Sequence, residues 1–185
     1  MRIGQNSKGV WEMKNNKGFS LIELIIVIAI LTVITSASVV GFGYLYKTNV
    51  KSCAKKLDSA LIKTQSYTTA KSAGNKDIGM KLTCDADGYC VEYKGIATLG
   101  KEVIASKKVK IRYKDASGNV LGYVDASHPL EIYFDRSTGG LLPQEPSGNY
   151  IKVIEITNAD SFDAGGMYAS ITISKLTGKT ETSMN

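Results

Sequence analysis

Hydrophobic positions fall into three successive regimes along the chain. From Leu24 to Leu31 every side chain is hydrocarbon, and no charged residue occurs between Leu24 and Tyr46. As a helix rising about 1.5 Å per residue, that charge-free stretch covers roughly 34 Å, enough to cross the apolar layer of a bilayer. After Tyr46 the pattern thins to Val50, Cys53, Leu57, Ala60, Leu61, Thr64 and Tyr67. These steps of three and four mark one helix stripe, with Lys51, Lys55, Lys56 and Lys63 largely on other faces. One long helix is predicted from about Ser20 to Ala73, its 19–46 part in lipid and its 47–73 part packed on a head. Gly74-Asn75 is its expected stop, and Gly41 and Gly43 an expected point of local unwinding.

The third regime has period two. Val109, Ile111 and Tyr113 alternate with Lys108, Lys110, Arg112 and Lys114, and Asp115–Asn119 reads as a hairpin turn into Val120–Val124. Leu130, Ile132 and Phe134 mark a third strand ending at Gly139-Gly140. Ile151–Ile156 and Ala169–Ser174 are a fourth and fifth, and Leu176–Lys179 is a last turn into a short tail. Residues 74–107 read as a connecting loop region. The fold class is α+β: a long N-terminal helix against an antiparallel sheet formed by a meander over 108–185.

Composition bounds this picture without changing it. The 185 residues are 43% hydrophobic and 22% charged, which excludes wholesale disorder and collagen-like repetition. One histidine and three cysteines leave little material for a soft-ligand metal centre, and no cofactor motif occurs. Net charge is +6, but the lysines flank the apolar run on both sides, so charge bias alone does not orient it.

The segment MRIGQNSKGVWEMKNNKG before the apolar run has the basic front edge of a secretory or anchor segment. Ser36-Ala37-Ser38 offers a small-residue cleavage pattern, yet apolar residues continue through Val39, Val40 and Phe42. Glu23 also interrupts the run near its start. An acid in a spanning helix costs about 2.5–3.5 kcal/mol at mid-bilayer, less near the end, which makes it a functional candidate. A protonated amine four residues upstream would share its helix face, and a neighbouring helix in a bundle could supply one too.

Lys17-Gly18-Phe19-Ser20-Leu21-Ile22-Glu23, followed by the apolar run, resembles the processing motif of type IV pilins and type II secretion pseudopilins. The resemblance implies a cut between Gly18 and Phe19 by a prepilin peptidase that also N-methylates Phe19. Glu23 becomes the fifth residue of the mature chain, and Phe19 and Glu23 its assembly residues. It further implies a cytoplasmic leader at 1–18, an external head, other pilin subunits as filament partners, and a membrane platform with an assembly ATPase. Leaders in this family are often short, so Met13 is a candidate start that would exclude Trp11. The likeness is strict over 14–46; IYFDRSTGG and ASITISKLTGKT resemble the FimT-like minor class more loosely.

For an exported head, Cys84 and Cys90 across a short loop are expected to form a disulfide, with free thiols the alternative. Cys53 reads as a small buried side chain on the helix stripe. Asp85, Asp87 and Gly88 are similar to part of a calcium loop but lack its remaining ligands. The cationic face of Lys108, Lys110, Arg112 and Lys114 suits nucleic-acid phosphates, though it lacks interleaved aromatics and more simply faces water. Asp125, Ser127 and His128 are adjacent in a loop, which is not a catalytic geometry, and no enzyme motif is present. The expected function is a structural filament subunit. Its rivals are a DNA-binding competence pilin and a signal-anchored surface protein that never assembles.

Overall fold

A serine followed three residues later by a glutamate closes the open end of a helix, and Ser20-Leu21-Ile22-Glu23 opens helix α1 (Leu21–Ala70). The computed structural model describes residues 19–71, 77–144, 147–158, 162 and 168–184, with the backbone alone at 37–46. Gly41 and Gly43, expected to loosen α1, lie within the unbroken helix. Gly74 and Asn75, its expected stop, lie outside the described residues. Contacts divide the chain into two compact units, residues 1–41 and 42–185.

In the second unit the predicted stripe is the buried face of α1. Val50, Cys53, Ala54, Leu57, Ala60, Leu61, Thr64 and Thr68 are all buried. The two threonines are tolerated there because each hydroxyl donates to a carbonyl one turn back, Ala60 O and Thr64 O, both at 2.8 Å. Each buried leucine contributes about 1.5–3 kcal/mol through area removed from water.

The described strands are β1 (Gly79–Asp85), β2 (Gly88–Lys94), β3 (Glu102–Ala105), β4 (Lys110–Lys114), β5 (Val120–Tyr123), β6 (Leu130–Tyr133), β7 (Val153–Thr157), β8 (Tyr168–Ile173) and β9 (Thr180–Met184). They form two antiparallel sheets, ordered β3-β2-β1-β6 and β5-β4-β7-β8-β9. Three expectations are corrected here. Residues 74–107 are not a connection but carry β1, β2 and β3. The tail after Lys179 is a strand. The single meander is two sheets, because β6 leaves β5 and pairs with β1 from Gly79↔Tyr133 to Leu82↔Leu130. The loop between β5 and β6 makes this switch. It is tied by the Asp125 carboxylate, which accepts the backbone N–H groups of Ser127 and His128 at 2.7 Å each.

Side-chain alternation explains the common core. Met80, Leu82, Val91, Ile111, Ile132, Ile154, Ile156 and Ile171 from both sheets join Leu57 and Leu61 in one cluster. Gly79 is needed where it stands, since a Cβ there would overlap the Tyr133 ring that lies across it.

Gln65, on the flank of the stripe, pins two turns. Its Nε2 donates to Gly139 O at 2.8 Å and Thr177 O at 2.6 Å. The turns are built alike: Gly139 N donates to Asp135 O and Gly178 N to Ser174 O, each at 2.7–2.8 Å, with φ of +69° and +63° at the glycines. Replacing Gln65 by leucine removes both bonds and should cost about 1–3 kcal/mol. The urea midpoint should fall with its slope unchanged.

Candidate processing and assembly site

The first turn of α1 is a closed electrostatic unit. Ser20 N donates to Glu23 Oε2 at 2.8 Å, and Glu23 N donates back to Ser20 Oγ at 3.2 Å. The glutamate lies where the positive end of the helix dipole favours an anion. Its second oxygen, Oε1, accepts no hydrogen bond among the described residues. Ser20 was not anticipated as a partner, although the serine-to-glutamate spacing carries the signal. Phe19 stands 85% exposed immediately before this turn. Gly18, the leader 1–18, Met13 and Trp11 lie outside the described residues.

Beyond Glu23 the helix has no polar face through Ile34. Leu21, Ile22, Leu24 to Ile28, Ile30, Leu31, Val33 and Ile34 are all roughly half exposed or more. A helix apolar on every side needs an apolar medium around it. Its hydroxyls are spent on its own backbone: Thr32 Oγ1 donates to Ala29 O at 2.7 Å, Thr35 Oγ1 to Leu31 O at 2.8 Å, and Ser36 Oγ to Val33 O at 2.9 Å. Such pairing is what hydrocarbon surroundings demand. Among the described residues no helix is long and apolar enough to cross a membrane. The described side chains of the apolar run stop at Ser36, about 24 Å along the helix from Leu21. The remainder of the expected span, 37–46, has side chains outside the described residues.

The expected disulfide is corrected by strand register. Cys84 pairs with Tyr89, while Cys90 pairs with Thr83. Directly opposite residues share a sheet face, so the two cysteines point to opposite faces of the β1–β2 hairpin. Both are free thiols, as is buried Cys53. Burial pushes the Cys53 thiol up to about 12 and raises the Cys84 and Cys90 thiols as well. The Cys90 thiol lies 3.5 Å from Asp85 Oδ1. Asp85 anchors the turn: it pairs with Lys101 and accepts Asp87 N at 2.9 Å. The Lys101 hydrogen bond, followed by the Asp87 amide, lowers its carboxyl to about 2. Among the described residues no three His, Cys, Asp or Glu side chains converge as a metal site requires.

The cationic strand face is not a free one. Lys110, Arg112 and Lys114 share a face of β4, and Lys108 sits in the turn before it. Glu155 of β7, directly opposite Arg112, bonds Arg112 Nε at 2.5 Å and Lys114 Nζ at 2.8 Å. The Phe162 ring lies 4.0 Å from the Arg112 guanidinium carbon and stacks obliquely near Tyr123. This aromatic cover was not expected on that face. Glu155 was missed too, although its outward position in the Val153–Thr157 alternation was legible. His128 and Asp125 form an exposed pair at 3.0 Å.

Burial pulls the Glu155 carboxyl upward, but hydrogen bonds from Lys114 and Arg112 outweigh it and leave it below its ordinary value of 4.5. The folded value is below the unfolded one, so the triad's contribution is complete above 4.5 and is lost as pH falls through the folded value. Thermal melts should therefore show a loss of stability in that acid window that Glu155→Gln removes, with a lower melting temperature at neutral pH. For the cysteines, the purified chain unfolded without reductant should take up alkylating reagent at Cys84 and Cys90 alike.

No curated protein and no solved structure matches the chain. A family model described as the prokaryotic N-terminal methylation motif does match, over residues 13–39. That stretch contains Gly18, Phe19, the Ser20–Glu23 cap and the apolar turns that follow. The chain thus carries the N-terminal signature of type IV pilins and pseudopilins.

Proposed function

We propose that the chain is the precursor of a membrane-anchored filament subunit, a structural building block and not a catalyst. The supporting observation is Glu23: a carboxylate at the start of the apolar turns of α1, with one oxygen bonded to Ser20 N and the other without a partner among the described residues. A prepilin peptidase cuts between Gly18 and Phe19 and methylates the new amine. The motif match begins at Met13, which supports 13–18 as a short leader.

The freed amine of Phe19 is a cation near neutral pH. In the membrane, Glu23 of one subunit accepts from the amine of a neighbour and sets the axial register between two apolar helices. Lipid gives no net drive for helices to associate, so this pair and side-chain packing supply the selectivity. The platform and ATPase that draw subunits from the bilayer act on the same helix, and the head stays outside the cell membrane. Against a DNA-binding role stands the use of Arg112 and Lys114 by Glu155.

Intact-mass analysis of the membrane-extracted chain should place N-methylated Phe19 at its start. Glu23→Ala should insert and be cut normally yet be lost from sheared fibres; normal incorporation would overturn the role of Glu23. A chain that keeps its leader would overturn the precursor reading itself.

A further inference from the structure

Among the described strands, β3 and β6 stand at the edges of one sheet and β5 and β9 at those of the other. An edge strand offers a row of unpaired amide and carbonyl groups to any extended chain, and folds generally blunt it. β3 and β5 are four residues long, and each ladder carries a register shift, at Tyr89/Cys90 and Tyr113/Lys114. Lys56 Nζ also donates to Val103 O of β3 at 3.3 Å. β6 is met on its far side by the returning chain, through Leu142 N to Tyr133 O at 2.9 Å and the Phe134–Leu141 bridge.

β9 has none of these devices. Its five residues, Thr180–Met184, pair with β8 without a shift and include no proline, glycine or lysine. From Glu181 to Met184 all are exposed. The Ser174 N to Lys179 O bond at 2.9 Å sets the phase of the β8–β9 ladder, so Glu181 and Ser183 turn their backbone groups to β8. Those of Thr180, Thr182 and Met184 turn outward, where no described residue bonds them.

This edge is complementary to its own copy. An antiparallel pair centred on Thr182 sets Thr182 against Thr182, Thr180 against Met184 and Glu181 against Ser183. All three outward residues then stand in hydrogen-bonded register and make about six backbone bonds. Each Glu181 carboxylate faces a serine hydroxyl able to donate to it, and no charge lies opposite its like. Centring on Glu181 instead would oppose two carboxylates and lose a pair of bonds at each end. We infer that β9 pairs antiparallel with β9 of a second copy of this chain, on a two-fold axis through Thr182. This contact between heads is independent of the filament role.

The test follows amide hydrogen exchange residue by residue on the full-length chain in detergent micelles, dilute and concentrated. Raising the concentration should slow exchange at Thr180, Thr182 and Met184 about tenfold or more, while Glu181 and Ser183 are protected throughout. Thr182→Pro removes an amide that the single chain leaves unbonded. Its melting temperature should hold, and Thr180 and Met184 should exchange freely at every concentration. Ser183→Lys places a lysine opposite Glu181 of the other copy and should lower the concentration of half-protection roughly threefold, an effect that high salt removes. The inference is overturned if the outward amides exchange freely at all concentrations, if their protection survives Thr182→Pro, or if it requires a different protein. None of these outcomes depends on whether the leader is cut.

Discussion

Both sheets of the head share one hydrophobic cluster with the buried stripe of α1, in which Cys53, Ala54, Leu57, Ala60 and Leu61 are all buried. Threonine at 64 and 68 carries the stripe to the helix end at the cost of two hydroxyls, which the helix itself absorbs. Gln65 then ties the far turns of β6 and β8 to the same helix. The core is thus a single cluster although its strands belong to two separate ladders.

The first half of the same helix answers the opposite demand. Where the second half has one apolar face, the described side chains of the first show no polar one through Ile34, and the hydroxyls of Thr32, Thr35 and Ser36 turn back on their own carbonyls. Among the described residues of that half, Glu23 keeps one carboxylate oxygen without a hydrogen-bond partner. The proposed assembly rests on that contrast: the head needs the helix on one side only, and the apolar surface of its first turns would be met by lipid or other helices.

The helix stripe was legible from its steps of three and four, and β6 and β8 because they alternate between buried and part-exposed positions; β5 was legible from the Asp115–Asn119 turn before it, not from its own burial. β2 was hidden because Tyr89, Cys90 and Val91 are buried in succession, which erases the period-two signal. β1 does alternate, Met80 and Leu82 against Lys81 and Thr83, but two cysteines nearby suggested a stapled loop. Register decides such a pair, and spacing along the chain does not reveal register. Glu155 was missed for a related reason: a lone acid on a strand gains meaning only when pairing sets it opposite Arg112. Phe162 reaches Arg112 from outside any strand, so no periodicity marks it.

The Ser20–Glu23 cap has a consequence for timing. Both of its members lie downstream of the Gly18–Phe19 bond, so scission there leaves the helix start intact. What the proposed cut would change is the sign of its surroundings: a cation would be born beside the positive pole of a finished dipole, where about 0.3–1 kcal/mol disfavours it. On the proposed role, maturation would thereby create an electrostatic debt at one end of the helix, which the Glu23 carboxylate of an adjoining copy would settle.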